Sequence, residues 1–311
     1  MRGVKMTTDG IRLVAPDAGP PEGSVRVTVA SSGICGSDLH MAAMGPSWAI
    51  LGHEFSGTLD DGTPVAVLPV VHCGACDRCL AGEVQQCRNA LGAMYGVSLD
   101  GGLADEAWVD PACAVPLPAD LPVDHANLVE PLAVALHGLN RAGVVDGMRV
   151  LVLGDGPVGL CTVAAAGHLG AQVDLEGHRA NRTAAGERLG ASTGIRTDYD
   201  VVLDAAGTQG SLDRATELAR PGGTLGILGT YWSPVALGLG FQMKELTLLP
   251  SFTYGHHHGD LEFAEATRIL AAVPDLADAL VTHHFALDDA AEAFRVAADR
   301  DADPIKVVVH P

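Results

Sequence analysis

Basic residues are scarce in this chain: 19 Lys and Arg stand against 38 Asp and Glu in 311 residues, a formal net charge of −19. With no long basic run, the chain lacks the counter-charge that a phosphate backbone demands, so nucleic acid is excluded as the expected partner. Aromatic residues make up only 4%, which leaves the core to aliphatic side chains. Uninterrupted apolar runs are missing too. The one long stretch without a charged residue, 221 to 243, is broken by Gly222, Gly223, Gly226, Gly229, Pro234, Gly238 and Gly240. That is too often for a membrane helix, and predicts a buried strand followed by a loop. The polar run from Met1 to Asp9 is followed by nothing resembling the apolar core of a signal peptide, so a cytoplasmic protein is expected. Disulfides are scarce in that compartment, and the seven cysteines therefore point to metal thiolates.

Four of them, Cys73, Cys76, Cys79 and Cys87, follow C-x2-C-x2-C-x7-C, a spacing that can wrap one tetrahedral metal in four thiolates. A closed site of this kind is structural. An iron–sulfur cluster shares the first two intervals but not the long third one, and no proline follows Cys87. Chemistry is expected upstream, where Gly33-Ile-Cys35-Gly-Ser37-Asp38-Leu-His40 and Gly52-His53-Glu54 supply a thiolate, an imidazole and proton-handling groups for a second, open metal site. Cys113 and Cys161 remain, and are expected as small buried apolar residues. The triple His256-His257-His258 has no thiolate or carboxylate cluster beside it and reads as an exposed turn. Further on, the apolar strand Val150-Leu-Val-Leu153 enters Gly154-Asp-Gly156-Pro157-Val158-Gly159, a G-x-G-x-x-G turn that opens a helix and cradles a dinucleotide pyrophosphate. A metal together with a dinucleotide means hydride transfer.

Up to about Leu121 the chain shows short β-rich runs such as Ser24 to Ala30 and Pro64 to Val71, punctuated by Gly and Pro, which predicts a compact antiparallel barrel. Helical periodicity runs from an N-cap at Asp124 to Arg141, with Gly143 as the stop and Glu130 on this bridging helix. From Arg149 onward apolar strands alternate with helices in the rhythm of a doubly wound parallel sheet. The pair Asp61-Gly62 predicts a tight turn.

In this order the motifs resemble the zinc-dependent medium-chain alcohol and polyol dehydrogenases, from Gly23 to Val309. Glu130-Pro-Leu-Ala-Val-Ala-Leu-His137 resembles the glutamate-ligand helix of the sorbitol and threonine dehydrogenase branch, and Gly101 to Val109 the strand that follows the structural lobe. The resemblance implies an α/β protein with a discontinuous GroES-like antiparallel β-barrel catalytic domain (1–121 and 253–311) and a Rossmann doubly wound parallel-sheet domain (122–252). It implies two zinc ions per chain. One is structural, on Cys73, Cys76, Cys79 and Cys87; the other is catalytic, on Cys35, His53 and Glu130, its fourth position open to substrate oxygen or, in a resting state, to Glu54. Ser37 and His40 stand at the spacing of the family's proton relay, and Asp38 is expected to orient a ligand. A homodimer or homotetramer is implied.

Aligning Gly170, Ala171 and Arg182 with the family pattern puts Gly177 where an acid would read the adenosine ribose, with His178 and Arg179 next. The missing carboxylate and the adjacent basic groups favour NADP over NAD; a small register shift would instead make Glu176 the ribose ligand. Asp155 is expected to point away from the phosphates. The activity implied is hydride transfer between NAD(P) and a small secondary alcohol or its ketone, of polyol, cyclitol or amino-alcohol type. Thr253 stands where sorbitol-type enzymes carry an arginine, which turns the reading away from a plain sorbitol dehydrogenase. Met41, Trp48 and Tyr95 are candidates for the pocket wall or, equally, for core. The chain is shorter than typical relatives, with the shortening placed at Leu59 to Pro64 and at Met41 to Leu51. The competing class is a zinc-stabilised nucleotide-binding or regulatory homologue without turnover, disfavoured by the joint presence of Cys35, Ser37, His40, His53 and Glu130.

Overall fold

The computed structural model describes residues 2–16 and 19–311. The chain divides into one unit of Met1–Glu130, His258–Ala272 and Val281–Pro311, and another of Pro131–His257 and Val273–Leu280. In the first unit, six strands follow the order Val281–Ala286, Lys306–His310, Val25–Ile34, Glu54–Leu59, Pro64–Val67, Ala114–Pro116, and Glu106–Val109 also pairs with Val25–Ile34. All pairings are antiparallel except that of the two C-terminal strands. Valines alternate inward along Val25–Ile34, where Val27 and Val29 are buried and Thr28 between them is exposed. The Asp61-Gly62 turn forms: Gly62 takes φ +89°, the Asp61 carboxylate accepts from Thr63 N at 2.9 Å, and the flanking strands pair. Three strand ends meet as a result. Val25–Ile34 delivers Cys35, Glu54–Leu59 starts directly after His53, and Lys306 opens the last strand, with Gly33 opposite Glu54 and Ile34 opposite Val307.

The second unit holds a five-stranded sheet in the order Thr247–Pro250, Ala219–Ile227, Tyr199–Asp204, Arg149–Leu153, Gln172–Glu176, every pairing parallel. Numbered along the chain this is 2-1-3-4-5, so the outer strand of the six-strand order 3-2-1-4-5-6 is missing. Between the helix Ala180–Arg188 and the strand Tyr199–Asp204 there is room only for a short connection. The chain is therefore also shortened here, at a place the sequence does not flag. That connection covers the sheet edge itself: Leu175 N donates to Ser192 O at 2.8 Å and Ser192 N to Val173 O at 2.9 Å. Buried Asp174 pins it, accepting from Tyr199 Oη at 2.6 Å and pairing with Arg196 at 3.1 Å. The uncharged stretch forms the strand Ala219–Ile227, then a loop, as expected, with a short helix at Leu239–Met243.

One predicted helix start moves. Residues Val123–Leu128 form a 3-10 segment and the α-helix begins at Val129, running to Arg141. The carbonyls that would start an α-helix at Asp124 are taken by side chains of the barrel: Ser56 Oγ donates to Val123 O at 2.6 Å and Ser31 Oγ to Asp124 O at 2.9 Å. Asn127 Nδ2 completes the cluster, donating to Ser31 Oγ at 2.8 Å and to Asp124 O at 2.9 Å. This buried lattice keeps the chain up to Glu130 with the first unit. Asn127→Ala removes the donors to Ser31 Oγ, which is wholly buried, and to Asp124 O, and a loss of about 1–3 kcal/mol in urea unfolding is expected. An unchanged midpoint would show that the lattice is not what fixes this segment.

Candidate catalytic metal centre and cofactor site

Cys35, His53 and Glu54 bring one ligand atom each to within 4.8 Å of the others. Cys35 is the N-cap of the helix Gly36–Met44, and Asp38, in its first turn, is wholly buried. The Asp38 carboxylate holds both halves of the site: Oδ2 accepts from Cys35 N at 2.8 Å, while Oδ1 lies 3.4 Å from His53 Nδ1, a close charge contact rather than an aligned hydrogen bond. This fixes the imidazole with Nε2 toward Ser37, whose Oγ is 3.3 Å away. Burial alone would lower the His53 pKa, but Asp38 and then Cys35 hold it well above the usual histidine value. Surroundings that retain a proton so firmly suit a cation, and thiolate, imidazole and carboxylate form a zinc donor set. His40, on the same helix and exposed, donates through Nδ1 to Gly36 O at 2.7 Å.

Glu54, expected as the resting-state occupant of the open position, is paired with a lysine. Its two oxygens accept from Lys306 Nζ at 2.8 and 2.6 Å, both residues are 1% exposed, and Nζ also donates to Ile34 O at 3.3 Å. Gly33, opposite Glu54 in the register, leaves room for that carboxylate, since a Cβ at residue 33 would collide with it. Glu130 is buried in the first turn of the helix Val129–Arg141 and does not join the mutually close trio. Lys306 was not evident from the sequence. The one available signal was a lone cation opening the apolar run Val307 to Val309 of a strand.

The other four cysteines converge as well. Sγ atoms of Cys76 and Cys79 are 3.5 Å apart, those of Cys73 and Cys87 3.7 Å, and those of Cys73 and Cys79 3.9 Å. Four thiolates at about 2.3 Å from a tetrahedral zinc have sulfur–sulfur edges of about 3.8 Å, so the cluster fits that ion. Backbone amides already point at the sulfurs, with Cys73 N 3.4 Å from Cys87 Sγ and Cys76 N 3.4 Å from Cys73 Sγ. The amide of Arg88 and then that of Cys79 bring Cys76 down to about 6, while burial and sharing with Cys76 push Cys79 up to about 12. The lobe has little else to hold it: Val70, Cys87 and Ala90 are its buried core. Cys113 and Cys161 are buried small residues, as expected.

In the second unit the strand Arg149–Leu153 leads into Gly154, at φ +108°, and the helix Pro157–His168 follows with proline in its first turn. A Cβ at Gly159 would strike Gly154 O, whereas one at Gly156 would meet nothing within 4 Å, which leaves an open backbone cradle at the helix start. Asp155 turns its side chain from the helix start toward the next strand. Its Oδ2 accepts from His178 N and Arg179 N, both at 2.8 Å, at the end of the next strand. Glu176 turns instead to Arg214, whose Nε and Nη2 both reach Oε2, at 3.1 and 3.0 Å. Trp48 and Tyr95 line a cavity of about 810 Å³ with Trp108, Asp100 and Asp110, and none of Cys35, Ser37, His53 and Glu54 borders it; Met41 does not either.

Lys306→Ala would leave the buried Glu54 carboxyl without its partner, and in metal-stripped protein should cost about 3–5 kcal/mol of folding stability. The paired change Glu54→Gln with Lys306→Met should recover most of it. Equal losses in the single and the double variant would refute the pairing.

Residues 21–119 match the family model described as the alcohol dehydrogenase GroES-like domain. Galactitol 1-phosphate 5-dehydrogenase of Escherichia coli (strain K12) is 30% identical over 100% of both chains, and L-galactonate-5-dehydrogenase of the same strain is 29% identical over 93% of this chain and 92% of its own. Among solved structures, galactitol-1-phosphate dehydrogenase from Escherichia coli superposes with a TM-score of 0.88 at 30% identity over 100% of both chains. A zinc-binding dehydrogenase from Sinorhizobium meliloti 1021 bound to NADP gives 0.85 at 30% identity, over 100% of this chain and 99% of its own. With a relative of this identity spanning its whole length, a GroES-like half and a parallel-sheet half, the chain belongs to the zinc-dependent medium-chain alcohol and polyol dehydrogenases, oxidoreductases that act on secondary alcohols.

Proposed function

We propose that the chain interconverts a polyhydroxylated secondary alcohol and its ketone, with a catalytic zinc on Cys35, His53 and Glu130 and a structural zinc on Cys73, Cys76, Cys79 and Cys87. The observation that carries this is the meeting of half-buried Cys35 with buried His53 and Glu54 under the clamp of Asp38. Glu54 is already paired with Lys306, which leaves the third ligand to Glu130. When bound, the zinc supplies a Lewis acid for the alcohol oxygen and the nicotinamide accepts the hydride. Ser37 takes the alcohol proton without bearing charge itself, and the exposed imidazole of His40 passes it to solvent. Gly154, Gly156, Pro157, Val158 and Gly159 hold the pyrophosphate, and Gly177, His178, Arg179 and Arg182 border the adenosine end.

The substrate class follows the relatives, whose names specify galactitol 1-phosphate, L-galactonate and L-arabinitol. Both dinucleotides have bound counterparts among the relatives: NADP in the Sinorhizobium structure, and NADH in a relative from Escherichia coli CFT073 with a TM-score of 0.87 at 25% identity. Self-association into a dimer or tetramer is supported by the edge strand Thr247–Pro250, flanked by Leu239, Met243 and Phe252 at 70%, 75% and 55% exposure. Thiolate sites of this kind suit a reducing compartment such as the cytoplasm, and among the described residues no helix is long and apolar enough to cross a membrane.

The test is nicotinamide absorbance with a panel of polyols, cyclitols, amino alcohols and simple secondary alcohols, before and after mild chelation. Turnover should favour polyhydroxylated members and vanish on chelation before the fold is lost, because the open site releases its ion more readily than the four-thiolate one. Full activity after chelation, or activity confined to simple alcohols, would contradict the proposal.

A further inference from the structure

The position that decides between the two nicotinamide dinucleotides is the end of the strand Gln172–Glu176, where an acid would accept hydrogen bonds from the ribose. Gly177 offers no side chain there, and by sequence alone the place is empty of charge. In the structure it is filled from another part of the chain. The Asp155 carboxylate, carried by the pyrophosphate turn, sits against Gly177 so closely that a Cβ at residue 177 would stand 2.5 Å from Asp155 Oδ2 and 2.6 Å from Asp155 Cβ. The same Oδ2 accepts from His178 N and Arg179 N at 2.8 Å.

Building on the dinucleotide reading above, we infer that Asp155 is the ribose-reading acid of this chain, supplied by the first turn rather than by the end of the second strand, and that it selects NAD over NADP. Three observations support this. The backbone amides of His178 and Arg179, which would serve a 2′-phosphate, already hold a carboxylate, and a phosphate dianion brought to them would meet its charge. Oδ1 accepts from no protein donor among the described residues, and is thus available to a 2′-hydroxyl. The rival acid, Glu176, is engaged by Arg214 through two nitrogens, so it does not serve the ribose. Gly177 is then not a missing acid but the gap that admits one. An aspartate introduced at 177 would have no room while Asp155 stays in place.

The test is equilibrium binding of NADH and NADPH to the zinc-loaded protein by calorimetry, with Asp155→Asn and Gly177→Ala, each checked for fold by circular dichroism. The wild type should bind NADH more tightly, by about tenfold or more. Asp155→Asn should erase that ratio, weakening NADH and strengthening NADPH. Gly177→Ala should move it in the same direction without changing any charge, because the added methyl displaces the carboxylate. Tighter NADPH binding by the wild type, or proportional losses for both cofactors in Asp155→Asn, would overturn the inference and leave Asp155 as a brace of the turn. If Asp155→Asn fails to fold, the wild-type ratio and Gly177→Ala decide. If neither dinucleotide binds the wild type, the dinucleotide reading itself fails and this inference falls with it.

Discussion

The buried ion pair between Glu54 and Lys306 is the constraint on which the catalytic unit is built. Removing both charges from water is costly, and only close, doubly bonded geometry offsets it. Lys306 Nζ meets both Glu54 oxygens and the carbonyl of Ile34, so one ammonium ties together the strand that begins beside His53, the strand that ends beside Cys35, and the last strand of the chain. The sequence accommodates the pair with a glycine at 33 and with β-branched neighbours that keep the three strands in register. Such a pair adds little to stability compared with an apolar filling, but it fixes register, and here register is what brings a thiol and an imidazole together. The discontinuity of the catalytic unit follows, because a site made near residues 33–54 needs a cation from residue 306.

The two proposed metal sites depend on the rest of the protein in opposite ways. The four-cysteine lobe consists of short turns around a small apolar core, so an ion held there would set its shape. The Cys35 site rests on three paired strands and on Asp38, which would stand without an ion. Asp38 and then Cys35, acting against burial, nonetheless hold the His53 pKa well above the usual histidine value.

Much of this was legible because the motifs are local. The cysteine spacing, the Cys35–His40 segment, Gly52-His53-Glu54 and the glycine turn each fix their geometry within a few residues, and the Asp61-Gly62 hairpin does the same. What escaped was relational. Lys306 and Glu54 are far apart in the chain, and nothing near either names the other. Asp155 reads as a misplaced charge beside a phosphate site until Gly177 is set against it, and Glu176, a ribose ligand only under a register shift, is engaged by Arg214. The helix expected at Asp124 fails for a similar reason: Ser31 and Ser56, on distant strands, claim the carbonyls that would have begun it. The outer strand that the described residues lack was hidden because a short connection that covers an edge looks like any other loop.

The central claim is that this fold holds two metals on independent ligand sets and does its chemistry at only one. Zinc per chain, measured by elemental analysis in the wild type and in Cys35→Ala alongside thermal unfolding and hydride transfer, tests it most directly. The account predicts two zinc ions falling to one, an intact cooperative fold and no turnover. Two ions retained in Cys35→Ala, or turnover that persists with one, would contradict it.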